Sequence, residues 1–425
     1  MKSYKKYHGS DVRNRRLTWI FIIFFLLAVG LIRGERIALI LAQTMLAMMI
    51  VTYIYVHYII KKIEVTRETN DKAIEDELVP VYLQIKSVFW FPIRWICIKD
   101  YFGAEMYCDR QHEYLITQFD LWCKKQSIQY FARCAAGRGK YNIGPVDVVV
   151  TDPLGIWILS KELQVIDKIL VLPAIVKLKS ISPHGRQKLH FSGIRTSHKA
   201  GLSYDFCGTR EYRSGDSLRY IHWPATARTS KLIIKEFQQI TTSRIVIFLD
   251  LYRKSLQGFR PTNLDYAIKI AGSVAKYAVD NSYEFRLVAA GEKDYDFYYG
   301  KSEAHLNWLL EEMAVMKPSG DKNLLELLQE YAPLIPSGEE VVVIFSSHIG
   351  DPQHYLQVLT MLQYRNISVT AIFLVATSFK ILQEHDGIDC YMAESDLPQM
   401  CMARGIHVVV VEKGADIARC FEGGF

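Results

Sequence analysis

The sequence lacks the patterns that usually mark a metal site or an activated nucleophile. Its eight cysteines form no Cys-x-x-Cys pair and stand at no zinc-type spacing from a histidine. No Gly-x-Ser-x-Gly stretch is present, and the glycine-rich string at Gly137–Lys140 has the wrong spacing for a phosphate-binding loop. We therefore expect no catalytic residues and no cofactor. The cysteines suit buried, reduced thiols in a cytosolic compartment.

Acidic residues are scarce at the N-terminus, where Asp11 is the only one among the first sixteen residues. The net charge of +6 is modest for 425 residues, and part of it comes from this arm. A short basic arm suits an anionic membrane surface better than a nucleic-acid groove. The basic residues are Lys2, Lys5, Lys6, Arg13, Arg15 and Arg16.

Two long apolar runs follow the basic arm and predict a transmembrane helical hairpin. They cover about residues 17–32 and 37–60, and only "RGER" separates them. Basic residues precede the first run and follow the second, so the positive-inside rule places both termini in the cytoplasm. Residues 1–62 are thus predicted to be a basic arm and hairpin, in a cell-membrane protein with two spans.

Residues 63–178 change character and predict an all-β sandwich. Short β-branched and aromatic runs such as "IRWICIKDYF" alternate with turn-like residues, and helical periodicity is weak. The glycines and prolines of "GRGKYNIGPVDVVVTDPLG" are expected at turns between the strands. Residues 179–240 are predicted to be a polar connector followed by a conspicuous motif. The connector histidines, which we expect to be exposed, are His184, His190 and His198.

Strands and helices alternate over residues 241–425, which predicts an α/β, Rossmann-like domain with a mainly parallel sheet. This segment resembles the von Willebrand factor A domain. That resemblance implies a magnesium site of the form Asp-x-Ser-x-Ser after the first strand. Here Asp250 is followed by Tyr252 and Lys254 instead of the two serines. Asp250 is thus a degenerate candidate ligand, and we expect no bound metal.

The motif is "GTREYRSGDSLRYIHWPATARTSKLIIKEF", residues 208–237. Catalysis would need His222 as a base oriented by Asp216, but the nucleophile elbow is absent. A nucleic-acid surface is disfavoured because acids are interspersed with the arginines. We favour a structural and partner-docking joint, held by Arg–carboxylate pairs, with Trp223 packed at the interface. We expect Asp216 to cap a helix start and Pro224 to end that helix.

These segments together resemble the bacterial domain-of-unknown-function family number fifty-eight, which implies a membrane protein with a degenerate A-like domain. The resemblance also implies an AAA+ ATPase partner of the MoxR type, and neighbouring transglutaminase-like membrane proteins as further partners. Ser230 departs mildly from the family, where glycine is common. The positions that match and that we expect in docking are Gly208, Arg210, Tyr212, Gly215, Asp216, Arg219, His222, Trp223, Arg228, Lys235 and Glu236.

The sequence therefore predicts a non-enzymatic, membrane-anchored scaffold that binds a protein partner in the assembly or maturation of other proteins. The alternative is a magnesium-dependent adhesion or hydrolytic module that uses the A-like domain.

Overall fold

The computed structural model describes most of the chain. The described ranges are 2–87, 93–105, 113–121, 125–181, 204–213, 216, 218–239, 244–258, 260–291, 294–346, 350–379 and 396–422. The three connector histidines lie outside them. The chain divides into two compact units, one formed by residues 1–174 with 310–316 and the other by residues 175–309 with 317–425.

Two long helices open the first unit, α1 (Lys2–Arg33) and α2 (Arg36–Lys62). Their segments Arg13–Arg33 and Arg36–Lys62 are long and apolar enough to cross a membrane, with mean hydropathies of 2.0 and 2.1. Many of their large apolar side chains are exposed. The prediction of two apolar helices is confirmed.

The end of α2 differs from the rest of the helix. Val56, Ile59 and Ile60 are buried in the protein core, and the chain passes directly from Lys62 into the first strand. The predicted apolar run 37–60 therefore includes a last portion that packs against protein. Sequence could not separate the two parts, because lipid and a protein core select the same side chains.

Nine strands follow in the first unit, as the middle segment predicted. They are β1 (Ile63–Thr69), β2 (Lys72–Ile74), β3 (Leu78–Ser87), β4 (Ile93–Phe102), β5 (Glu113–Leu121), β6 (Lys125–Arg133), β7 (Gly139–Thr151), β8 (Ile158–Leu163) and β9 (Asp167–Leu172). One antiparallel sheet has the order β1-β3-β6, and a second has β2-β9-β7-β4-β5 with β8 beside β7. Inward side chains of both sheets share a core with the end of α2.

Strand β7 corrects one prediction. Gly139, Gly144 and Pro145 were expected at turns, yet they lie within this strand. The strand pairs with β9 up to Ile143 and with β8 from Val146, while its pairing with β4 begins at Ile143. Gly144 has a φ of +104°, and a Cβ there would lie 2.0 Å from the carbonyl oxygen of Val165. Glycine thus allows the strand to change partners where it would otherwise clash.

The second unit begins with a two-stranded antiparallel ribbon, β10 (Tyr204–Glu211) and β11 (Ile233–Gln239). Between the strands lie a 3₁₀ turn (Leu218–Tyr220) and a short helix, α3 (Trp223–Thr229). We call residues 204–239 the motif module.

The rest of the second unit is an α/β sheet with the order β14-β13-β12-β15-β16-β17. All neighbouring pairs are parallel except the edge pair β13–β14. The strands are β12 (Arg244–Leu249), β13 (Glu284–Ala290), β14 (Asp294–Asp296), β15 (Glu340–Phe345), β16 (Ser368–Leu374) and β17 (His407–Val411). The helices are α4 (Asn263–Asp280), α5 (Glu303–Val315), α6 (Leu324–Tyr331), α7 (Pro352–Tyr364), α8 (Ala376–Phe379), α9 (Leu397–Ala403) and α10 (Ile417–Glu422). The predicted mainly parallel sheet is confirmed.

Candidate functional site

The motif module brings most of the predicted docking residues together. Gly208 pairs with Glu236 across the ribbon, and Arg210 pairs with Ile234. The chain between the strands carries Asp216, Arg219, His222, Trp223 and Arg228. Gly215 lies outside the described residues, as does the side chain of Glu236. Tyr212 ends the first strand, where its backbone N–H donates to the carbonyl of Leu232 at 2.9 Å.

A two-point ion pair holds the turn of the module. Arg210 Nη1 and Nη2 donate to the two carboxylate oxygens of Asp216 at 2.7 and 2.8 Å. The backbone N–H of Arg213 donates to the same carboxylate at 2.8 Å. Hydrogen bonding from Arg210 is the main reason that the pKa of Asp216 is lowered to about 2. Asp216 thus closes its own turn. The predicted cap over Ser217–Arg219 includes Ser217, which lies outside the described residues.

A second ion pair joins the two sides of the module at its surface. Lys231 Nζ donates to Glu211 Oε1 at 2.7 Å. This hydrogen bond raises the pKa of Lys231 above its usual value. Both side chains are well exposed, so the pair is expected to add little stability.

His222 has a structural contact that the catalytic interpretation did not foresee. Its Nδ1 accepts the backbone N–H of Ala225 at 3.1 Å and so caps the start of α3. Both oxygens of Asp216 accept hydrogen bonds from Arg210 instead of orienting this imidazole. The base and orienter required for His222 catalysis are therefore not assembled.

Helix α3 corrects the prediction for Pro224. This proline lies in the first turn of the helix, where its missing N–H leaves no bond unmade, and does not end it. The helix ends at Ser230, whose φ of +55° is in the left-handed region. Glycine is favoured at such a position, which agrees with the resemblance, in which glycine is common where Ser230 stands.

The surface of the module is apolar and basic. Trp223 is expected to be packed at the interface, and its side chain is 65% exposed. Leu218, Tyr220 and Leu232 are also exposed and lie close to it in sequence. Several exposed cations have no side-chain partner among the described residues, which corrects the expectation that the motif's charges pair with one another. These cations are Arg213, Arg219, Arg228 and Lys235. We call the four apolar side chains and these cations the module patch.

The carboxyl edge of the α/β sheet is the second place where sequence predicted a site. Asp250 and Ser346 follow the neighbouring strands β12 and β15 and are only 4% and 5% exposed. Asp250 Oδ1 accepts the backbone N–H of Tyr252 at 2.9 Å. No group of three or more His, Cys, Asp or Glu side chains within the described ranges could hold a metal ion. The geometry gives the magnesium alternative no added support.

Comparison with known families confirms the family resemblance. Residues 208–380 match the model of the family described as "Protein of unknown function DUF58". The match begins at the first residue of the motif and continues through the α/β sheet as far as α8. The chain is also 21% identical over 194 residues to "Uncharacterized protein YeaD" of Bacillus subtilis (strain 168), spanning 46% of this chain and 47% of that protein.

Solved structures resemble the chain only distantly. Proximal thread matrix protein 1 from the mussel byssus is 13% identical, with a TM-score of 0.24 over 32% of this chain and 38% of that one. The manganese-loaded TRAP protein of Plasmodium vivax is 13% identical, with a TM-score of 0.24 over 31% of this chain and 57% of that one. Likeness at these scores does not identify the fold.

Proposed function

We propose that this relative of the DUF58 family is a membrane-anchored cytoplasmic scaffold whose motif module docks a protein partner. The partner that the family resemblance implies is an AAA+ ATPase of the MoxR type. A transglutaminase-like membrane protein is a second partner implied in the same way. In this role the chain holds its partner at the membrane for the assembly or maturation of other proteins.

The observation that carries the proposal is the exposure of Trp223 at the start of α3, which the cap from His222 holds in place. Tryptophan, tyrosine and arginine contribute most of the binding energy at protein interfaces, and the module patch contains all three. The Arg210–Asp216 pair restrains the chain before this residue, and the hydrogen bond from Ala225 N–H to His222 spans it. A restrained patch loses less conformational freedom on binding than a loose one.

The charges favour an acidic partner surface. Of the four cations of the patch, Arg213 lies near the carboxylate of Asp216. Among the described residues the other three are exposed and form no ion pair with a carboxylate. Complementary charge accelerates association and selects against partners of the wrong sign. The proposed ATPase is therefore expected to present acidic side chains around an apolar pocket that accepts Trp223.

The folds that we propose for the two units agree with this role. The α/β sheet is proposed to be von Willebrand A-like, which is supported by its single antiparallel edge strand β14 and by the central position of β12. The two sheets of the first unit are proposed to form a β-sandwich, supported by their shared core. Both termini are proposed to be cytoplasmic, on the distribution of basic residues around the hairpin.

The proposal is tested with the full chain in lipid nanodiscs and the purified MoxR-type ATPase of the same organism. Binding is measured by surface plasmon resonance in ATP and in ADP, for wild type and for Trp223→Ala. The matched control is Tyr298→Ala, because Tyr298 is a similarly exposed aromatic residue (69%) outside the module. Binding by wild type and by the control, but not by Trp223→Ala, would support the proposal.

A further inference from the structure

A groove of about 390 Å³ lies on the surface of the second unit, along one face of α7 and beside Arg404, the residue that follows α9. Its walls include Leu356, Thr360, Met361 and Tyr364 of α7, with Arg365 and Arg404 at its end. Each helix leads into a parallel strand, β16 or β17, so both end near the amino edge of the sheet. The groove is thus separate in sequence from the motif module.

The helices that flank the groove carry no charged lysine, arginine, aspartate or glutamate side chain. This is true over all residues of α7 and of α9. Tyr364 is 88% exposed, and Met361 and Met402 are also exposed. Surface helices normally place charged residues on the face that meets water. Methionine packs adaptably and is common at surfaces that bind apolar partner helices.

Positive charge collects at one end of the groove. Arg365 and Arg404 are the residues at which α7 and α9 end. The Arg365 guanidinium donates to the carbonyls of Ala332, Pro333 and Ile335 at 2.6, 3.2 and 2.7 Å. The exposed Arg404 guanidinium has no partner, and neither arginine pairs with a carboxylate, within the part of the chain that the structure describes.

We propose that this groove binds a segment of a partner protein that places apolar side chains on α7 and a carboxylate on Arg404. The apolar walls provide burial, and the unpaired guanidinium selects an aspartate or glutamate at one end. The Arg365 guanidinium donates hydrogen bonds to three backbone carbonyls, so it adds positive charge at the groove but keeps its place when a partner binds. The inference rests on the proposed scaffold role, since it adds a second contact surface for a protein partner.

The test places a photoreactive benzoyl-phenylalanine at position 364 of the full chain, followed by irradiation in cells and mapping of the adducts by mass spectrometry. The same substitution at position 298 is the positional control. Arg404→Glu is compared with Arg404→Lys and with Arg419→Glu, another exposed arginine on a short helix. Circular dichroism confirms that each variant is folded.

We expect adducts on an acidic, apolar segment of another protein, with a yield that falls about tenfold in Arg404→Glu. Arg404→Lys and Arg419→Glu should retain most of the yield. Replacing the mapped carboxylate with lysine should restore adducts to Arg404→Glu, because the charges are then exchanged. Lipid adducts, adducts on the same chain or on a second copy, no adducts, or a yield insensitive to Arg404→Glu would overturn the proposal. Binding that still depends on Trp223 in that case would leave the scaffold role standing.

Discussion

Arg210 and Asp216 are joined at two points, with both guanidinium nitrogens within 2.8 Å of the carboxylate. The pair closes a tight turn, and Arg213 adds a backbone hydrogen bond to the same side chain. Planar, bidentate pairs of this kind fix orientation as well as distance. The turn leads directly to the exposed side chains of the module patch, so its geometry sets how that patch is presented.

Asp216→Asn should loosen the motif module. The amide keeps the size of the side chain but loses the charge and one acceptor oxygen that Arg210 uses. Trypsin cleavage between residues 204 and 239 should therefore accelerate, with the number of tryptic sites unchanged. Asp296→Asn is the matched control, because Asp296 forms a similar two-point pair with Arg286 in the edge strand. Equal cleavage of both variants would contradict the bracing role.

The pH dependence of this brace follows from the lowered pKa of Asp216. Its stabilisation is fully present above the unfolded pKa, about 4, and is lost only as pH falls through the folded value of about 2. Between about pH 5 and pH 8 the stability of the wild-type module should thus stay constant, and its cleavage rate should change only as the activity of the protease changes. A module that opened near neutral pH would show that another group controls it.

Arg67 is buried in the first unit, and we expect its substitution to cause a large loss of stability. Its guanidinium pairs with Asp100 and Asp167 and donates to the carbonyls of Ile143 and Val165. Arg67→Met leaves the buried Asp100 carboxylate uncompensated, which we expect to cost about 3–5 kcal/mol. Hydrogen exchange in β1 and β4 measures the loss.

The control for this substitution is Arg133→Met. Arg133 forms an exposed pair with Asp76, and its loss should cost less than about 1 kcal/mol. The double variant Arg67→Met/Asp100→Leu should recover part of the stability, because no unpaired buried charge remains. Similar losses for Arg67 and Arg133 would contradict the account.

Trp157 links a β-strand loop to helix α2. Its indole Nε1 donates to the carbonyl oxygen of Met49 at 3.2 Å, and its ring packs on Tyr53 and beneath the Arg16 guanidinium. Trp157→Phe removes the hydrogen bond and keeps an aromatic ring. Amide exchange over residues 152–159 should therefore accelerate about fivefold, which corresponds to a loss of about 1 kcal/mol in the free energy of opening. Trp308→Phe should leave these amides unchanged, and an equal effect would contradict the link.

Glu340 should make the second unit less stable at higher pH. Burial raises its pKa to about 7, and its Oε1 has no hydrogen-bond partner among the described residues. Because the folded value is raised, the stabilisation is present below about pH 4 and is lost as pH rises to about 7. Glu340→Gln should therefore slow hydrogen exchange in β15. The free energy of opening should rise by up to about 3 kcal/mol at about pH 8 and by much less at about pH 5. The exposed Glu412→Gln should show no such difference.

The local patterns of the sequence predicted most elements correctly. The β-branched run "VDVVV" predicts a strand, and the spacing of Leu264, Ile268 and Ala271 predicts one buried face of a helix. Those side chains are buried. The prediction of turns at Gly139, Gly144 and Pro145 was wrong, because glycine indicates a turn only where the chain does not pair with a neighbouring strand. Here β9 and then β8 and β4 supply that pairing, and they come from distant parts of the chain.

The candidate site was predictable in composition but not in geometry. The motif's arginines and acids indicated ion pairs, and the Arg210–Asp216 pair exists. Which cations stay unpaired depends on how the chain between the two strands folds, and the residue types do not encode that directly. Trp223 was expected at an interface because tryptophan, tyrosine and arginine dominate protein interfaces, and its side chain is exposed. Arg67 was missed because its partners come from distant strands.

The measurement that tests the central claim most directly is the affinity of the nanodisc-held chain for the MoxR-type ATPase. The account predicts that Trp223→Ala raises Kd by about 30-fold, or about 2 kcal/mol, whereas Tyr298→Ala stays near the wild-type value. No binding by the wild-type chain would contradict the proposed partner. Equal Kd values for wild type and Trp223→Ala would contradict docking through the motif module.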